Sequence, residues 1–226
     1  MSDRSPYAAL VERLAVREEQ VELRGAGTRL WVYGADDAPR RIVFLHGLRG
    51  DHHGLEPIVA HLDGVQVVVP DLPGFGASPP LPSDRHDVHG YAAWTRDLLA
   101  VLAPRGDAVL AGHSFGSIIA TAAVAGDGAP PVRGLVLVNP IAASALAGPR
   151  RVLTGFTVLY HRIAAALPER AGTALLRNRA MTRIASVAMA TTGDQALRRW
   201  IHAEHDRYFS TFADRRTLLE AFHASV

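Results

Sequence analysis

The sequence predicts an α/β protein: a mostly parallel sheet with helices on both faces, followed by an all-helical segment. Three observations predict it. The runs Arg41–Leu45, Val65–Val69, Ala108–Ala111 and Val132–Val138 are nearly continuous in apolar, β-branched and small residues, as strands buried on both faces should be. Helical patterns separate these runs, which is the alternation of a parallel sheet covered on both sides. After Pro140 no strand pattern returns, and apolar residues recur only at helical spacing.

In chain order, Tyr7 to Gln20 reads as an amphipathic helix, with Leu10, Val11, Leu14 and Val16 on or near one face. Val21–Leu23 and Leu30–Tyr33 are short strands joined through Gly25-Ala26-Gly27, a hairpin signal that adds antiparallel edge strands. Arg41–Leu45 ends at His46-Gly47, and a short helix follows over Leu55–Leu62. Val65–Val69 ends at Pro70-Asp71 and opens into a loop rich in Pro and Gly, Leu72 to Ser83. A helix over Tyr91–Leu102 leads to Ala108–Ala111, a helix over Ser117–Val124 leads to Val132–Val138, and that strand ends at Asn139-Pro140. Beyond it, Val152, Phe156, Leu159, Ile163 and Leu167 keep helical spacing until Pro168. Further helices are expected over Thr173–Thr191, Gln195–Tyr208 and Arg215–Ala224. The chain therefore divides into a core over residues 1–140 and a helical subdomain over 141–226.

The 226 residues suit one domain with an appended subdomain, and 48% hydrophobic with 20% charged residues is the balance of a folded globular chain. The absence of cysteine excludes disulfides, thiolate metal centres and a cysteine nucleophile. Met1 to Leu10 carries Asp3, Arg4 and Pro6 and no apolar stretch, so it does not read as a signal peptide. No run of about 20 apolar residues suggests a membrane span, and a cytoplasmic location is the expectation. Every basic residue is Arg; residues 1–140 hold twelve against sixteen acidic residues, and 141–226 hold twelve against six. Codon usage of a GC-rich genome is one reading of this bias. A basic segment that attracts anionic substrates or surfaces is the other.

The chemistry concentrates at Ala108-Val-Leu-Ala-Gly112-His113-Ser114-Phe115-Gly116-Ser117: a strand, then G-x-S-x-G, then a helix. A serine on a sharp turn between strand and helix projects its hydroxyl at the top of a sheet. Glycines on both sides, Gly112 and Gly116, let strand and helix approach. The first helical turn aims N–H groups at the reacting oxygen. The G-x-S-x-G string alone is common; in this strand–turn–helix setting it is specific.

From Val21 to Pro140 the chain resembles the α/β-hydrolase superfamily, in its serine-nucleophile branch with a helical cap. Phe44-Leu45-His46-Gly47-Leu48 looks like that family's H-G loop, and Asp71-Leu72-Pro73-Gly74-Phe75-Gly76-Ala77-Ser78 matches a structural segment that shapes one wall of the pocket. The resemblance implies Ser114 as nucleophile and the backbone N–H groups of Leu48 and Phe115 as oxyanion donors, each donor worth about 2.7–4 kcal/mol. His46, Gly47, Gly112, His113 and Gly116 become the framework of the loop and elbow, and Asp71 a carboxylate that fixes a loop. The helices after Pro140 take the place of the cap. A serine at the elbow argues against the epoxide hydrolase and haloalkane dehalogenase branches, where the resemblance would place an aspartate.

The resemblance stops after Pro140. The family orders its triad Ser, then Asp or Glu, then His, with the acid and histidine after the cap. This sequence remains helical to Val226, with no later strand to end in an acid or lead to a histidine loop. The alternative acid position, after Val138, is Asn139. The expectation is that the C-terminal strands of the fold are missing from this sequence, which leaves Val132–Val138 as a bare, apolar sheet edge. Eleven histidines are present, and each reads as a surface or locally bonded residue: His46, His52, His53, His61, His86, His89, His113, His161, His202, His205 and His223. His202 with Glu204-His205-Asp206 resembles a metal cluster at a glance, but the spacing gathers them poorly and a solvated helix face is expected. No metal and no cofactor are expected. The sequence therefore points to a hydrolase of small or medium acyl substrates, carboxylic esters first, with no nucleic-acid partner. The alternative is an inactive fragment or a ligand-binding remnant of the fold.

Overall fold

The computed structural model describes residues 7–126, 128–141 and 151–226. Its centre is a six-stranded sheet in the order β1-β2-β4-β3-β5-β6. The strands are β1 (Val16–Leu23), β2 (Ala26–Tyr33), β3 (Arg41–Leu45), β4 (Gln66–Pro70), β5 (Ala108–His113) and β6 (Gly134–Val138). β4, β3, β5 and β6 run parallel, and the β1–β2 hairpin joins β4 antiparallel.

The hairpin turns on two residues, Arg24 (φ 53°) and Gly25 (φ 79°), with Leu23 paired to Ala26. Two successive positive φ angles give the turn whose twist suits a right-handed hairpin. Arg24 is held in this unfavourable region by ion pairs to Asp84 and Asp97, both at 2.8 Å. The helix expected over Tyr7–Gln20 is confined to α1 (Ala8–Val11). Val16–Gln20 instead extends β1, because registered pairing from Val16↔Tyr33 to Leu23↔Ala26 satisfies the whole free edge of β2. A helical spacing of apolar residues gave way to long-range hydrogen bonding.

Within the sheet the strand period sorts the core into two layers. Val43, Leu45 and Val68 face a large cluster with Tyr91, Trp94, Leu98, Phe115 and Ile119, the buried faces of α3 (Val88–Leu102) and α4 (Phe115–Val124). Phe44, Val67 and Val69 face the other way, onto Tyr33, Leu55 and Val59, the last on α2 (Glu56–Val59). The two largest buried aromatics with polar atoms on this side are bonded: Trp94 Nε1 donates to Thr28 Oγ1 at 3.0 Å, and the Tyr91 hydroxyl to Pro73 O at 2.9 Å.

β6 lies at the sheet edge, and Leu135, Val136 and Leu137 are exposed. Beyond Ile141 the described chain is helical: α5 (Arg151–Ala166), α6 (Glu169–Leu176), α7 (Arg179–Met189), α8 (Gln195–Tyr208) and α9 (Arg215–Ala224). The single helix expected over Thr173–Thr191 is two, because Asn178 caps α7 through Ala180 N (2.9 Å) and Met181 N (3.3 Å). The apolar row of α5 does not point inward. Phe156 is 67% exposed, Leu159 and Ile163 are also exposed, and the buried side carries His161 and Ala164. The helices are fastened to the core by Ala213 N to Gly74 O (2.9 Å) and a bridge between Phe75 and Phe212. Arg49 adds hydrogen bonds to Leu176 O (2.6 Å) and Phe209 O (2.9 Å).

Candidate active site

β5 runs directly into the G-x-S-x-G turn. Ser114 has φ 53° and ψ −117°, a conformation that non-glycine residues adopt only when the surroundings impose it. The surroundings do so through neighbours on either side. Ser114 N donates to Val138 O at 3.1 Å, and Ser117 N donates to Ser114 O at 2.9 Å. A Cβ on Gly112 would stand 2.2 Å from Gly116 O, and one on Gly116 would stand 2.4 Å from Leu45 O. Only glycine at both positions lets β5, β3 and the start of α4 converge. The tight turn expected at 112–116 is therefore present, with Ser114 half-buried at its apex.

The loop after β3 closes against this apex. A Cβ on Gly47 would lie 3.2 Å from Ser114 Cβ and 3.4 Å from His113 Nδ1. Leu48 follows directly, partly buried against the main core. Arg49, the next residue, has φ 62°, and burial lowers its guanidinium from the usual range. Phe115, on the other side of Ser114, is fully buried and meets Tyr91 edge-on.

His46 is buried, and both ring nitrogens are used. Nδ1 donates to Gly47 O at 2.8 Å, and Nε2 accepts from Leu72 N at 2.9 Å. Those partners fix a neutral tautomer, and burial holds the ring below the ordinary histidine range. His113 is also pushed down by burial and by nearby His46.

Asp71 has no exposed surface. Its carboxylate accepts from His52 N and His52 Nδ1 (both 3.0 Å), Ala77 N (2.9 Å) and Trp31 Nε1 (3.2 Å). Burial alone would raise this carboxyl, but the hydrogen bonds from His52 and Ala77 and the nearby imidazoles hold it at about 2. This is a carboxylate that pins the 71–78 loop to β2 and to the turn at His52.

No described histidine hydrogen-bonds to Ser114. His52 is taken by Asp71, His53 by Asp51, His61 by Pro57 O and His86 by Leu81 N. His161 donates to Thr157 O, stacks on Phe222 at 3.6 Å and is held near 4 by burial. Asn139, after β6, is exposed with φ 47°. The 202–206 face is half-buried rather than fully solvated as the sequence suggested. Ser186, fully buried on α7, sits between His202 Nδ1 (2.6 Å) and His205 Nδ1 (2.8 Å). One hydroxyl proton cannot serve both rings, so Ser186 donates to one and accepts from the other. Burial, with His202 beside it, lowers His205 to about 4. The sequence shows a helix over Gln195–Tyr208 but not that α7 covers this face.

Among the described residues no helix is long and apolar enough to cross a membrane. No curated protein matches the sequence. Among solved structures, a putative lipase from Acinetobacter baumannii AYE is similar at TM-score 0.67 and 14% identity, over 98% of this chain and 70% of that one. Epoxide hydrolase A from Mycobacterium thermoresistibile gives TM-score 0.61 and 18% identity over 93% and 75%. The Cif epoxide hydrolase from Acinetobacter nosocomialis gives 0.58 and 16% over 93% and 66%, so this chain spans just under two thirds of its length. At such identities the likeness is one of fold. The sequence profile described as the alpha/beta hydrolase family matches residues 42–224, and with the sheet order and the strained turn at Ser114 in place, the chain belongs to that family.

Proposed function

We propose that the chain carries the nucleophile half of a serine hydrolase acting on small to medium acyl substrates, carboxylic esters in particular. Ser114 Oγ attacks the carbonyl carbon. The carbonyl oxygen takes the negative charge and is met by the N–H groups of Leu48 and Phe115; the C–O bond to the alcohol breaks, the alcohol leaves with the proton that the Ser114 hydroxyl gave up, and water cleaves the acyl-enzyme to the carboxylic acid and free Ser114. The helices α5–α9 act as the cap over this pocket. The observation that carries the reading is the backbone of Ser114, φ 53° and ψ −117°, held between β5 and α4 with Gly47 packed against its Cβ. Such strain at a serine whose hydroxyl bonds to none of the described residues fits a reactive group better than a packing one. Serine rather than aspartate at this point favours esters over epoxides.

A second reading has its own observation. With no histidine bonded to Ser114 and Asn139 after β6, the chain by itself is a pocket of the fold without a base. A serine hydroxyl without a base is a weak nucleophile, and sites lacking a triad member retain only about 10³–10⁴-fold acceleration over water. A fluorophosphonate probe separates the two. Labelling of the folded chain that disappears in Ser114→Ala supports the hydrolase. A folded chain that resists the probe, with a binding isotherm for acyl ligands, supports the binding remnant.

A further inference from the structure

The residue after Leu48 has partners of its own, all in the helical region. Gly50 N donates to Gly47 O at 3.1 Å, which closes a turn with Leu48 and Arg49 at its centre. Arg49 takes the third position of this turn with φ 62°. Glycine or asparagine is the usual occupant there, because a Cβ crowds the backbone in that conformation. Glycines bracket the turn at Gly47 and Gly50, yet the strained position carries a long charged side chain.

That side chain accounts for its own placement. Arg49 Nη2 donates to Leu176 O at 2.6 Å, and Nε to Phe209 O at 2.9 Å. Leu176 is the last residue of α6, and Phe209 caps the C-terminal end of α8. Carbonyls at such helix ends lack intrahelical partners and carry partial negative charge. One guanidinium thus closes both helices. Tyr160, on α5, donates to Leu175 O at 2.6 Å and offers its hydroxyl oxygen to the same guanidinium, which lies 5.8 Å from the centre of the Phe212 ring. No described carboxylate pairs with Arg49, so the helix ends stand in for a counter-ion.

The opposite side of the turn faces Ser114. A Cβ on Gly47 would lie 3.2 Å from Ser114 Cβ, and one on Gly50 would lie 3.6 Å from His46 Nδ1. His46 Nδ1 in turn bonds Gly47 O, the oxygen that closes the turn. The backbone fastenings at Gly74 and Phe75 reach a different loop. Arg49 is therefore the route by which α5, α6 and α8 act on the segment beside Ser114.

We propose that Arg49 is a positioning residue: by tying the Gly47–Gly50 turn to α5, α6 and α8, it lets the helical region hold the Leu48 N–H where the oxyanion forms. Loosening those helices then loosens the donor and slows attack by Ser114, although no group that touches the substrate is removed. The role given to Leu48 rests on the serine hydrolase reading; the tie itself does not.

Arg49→Gly and Arg49→Lys test it. Glycine adopts the positive φ without strain and removes the tie, whereas lysine keeps the charge but loses the planar fork. Hydrogen exchange of the 47–50 amides, read by mass spectrometry, should quicken about tenfold in Arg49→Gly and less in Arg49→Lys. Labelling by a fluorophosphonate probe should lose about tenfold or more of its limiting rate in Arg49→Gly, with the half-saturating probe concentration unchanged, and methylguanidinium in the buffer should restore part of that rate. Ser114→Ala should exchange like the parent at the turn. A circular dichroism signal equal to the parent's identifies a folded variant, and if Arg49→Gly does not fold, Arg49→Lys decides alone. Exchange at 47–50 that matches the parent in a folded variant would overturn the tie. Quickened exchange with an unchanged labelling rate would overturn the positioning role. A parent that takes no probe would remove the hydrolase reading and the positioning role together, while the exchange data still decide the tie.

Discussion

The sheet core and the helices α5–α9 are built on opposite economies of side chain. In the core, apolar strand residues point inward, and Trp94, Leu98, Leu110 and Phe115 are fully buried. In the helices, Phe156, Leu159, Ile163, Ile184, Val187 and Met189 face outward, while His161, Thr182, Ser186 and Thr217 are buried. The core is held by apolar burial, at about 25 cal/mol per Å² removed from water. The helices bury Ala164, Leu176, Leu218 and Ala221 against that same core and add directed contacts of their own: the Ser186 hydroxyl between two imidazoles, the Arg183–Asp206 ion pair, and Arg215 bonded to Ala164 O at 3.0 Å. Directed polar contacts depend on protonation and geometry, whereas apolar burial does not, so the two regions should fail under different stresses.

The largest effect should come from the centre of the core. Trp94→Ala removes a fully buried ring and its bond to Thr28, and urea unfolding should show a loss of about 4 kcal/mol. A loss below about 1 kcal/mol would mean that the core is not the main source of stability. Gly116→Ala comes next. Its Cβ meets Leu45 O at 2.4 Å and His46 O at 2.7 Å, so a destabilisation on the order of 3 kcal/mol is expected, with any fluorophosphonate labelling lost as well.

Acid should separate the regions. His161 and His205 are held near 4 in the fold, below the free-imidazole value of 6.5. As pH falls from about 6.5 to 4 the unfolded chain gains protons that the folded chain refuses, so the helices lose on the order of 1–2 kcal/mol per histidine after allowance for solvent screening. Asp71 behaves as a depressed carboxylate: its contribution, on the order of 2 kcal/mol, is complete above about 3.8 and is lost as pH falls toward 2. Pepsin cleavage mapped by mass spectrometry should therefore cut α5–α9 at a higher pH than the core, and the reverse order would refute the contrast. The smallest effect belongs to the outward apolar row. Phe156→Ser should change stability by no more than about 0.5 kcal/mol while lowering binding of a hydrophobic dye. A larger loss would show that this row is covered in solution.

How much of this was readable beforehand follows from how local each signal is. The four parallel strands and the turn at Gly112–Gly116 were legible because a continuous apolar run and a pair of flanking glycines are local statements about burial and backbone approach. Of β1, Val21–Leu23 is legible as strand, but Val16–Gln20 is not, because it has a helical spacing of its own and gains its strand only from β2. Asp71 was legible as a loop-fixing carboxylate through the resemblance, but its partners Trp31 and His52 were not, since they arrive from a strand and a turn far away in the chain. The Ser186–His202–His205 contact left no sequence signal at all, because α7 and α8 must pack before those residues meet.

By itself the sequence determined the class of fold, the strand order of events along the chain and the place of Ser114, each the consequence of short-range pattern. Only the tertiary structure decided that Ser114 would be held at φ 53° with Gly47 beside it, that α5 would turn its apolar row outward, and that Ser186 would lie between His202 and His205. These are contacts between distant segments, and their geometry is set by packing of whole elements, for which no single stretch of residues carries the information.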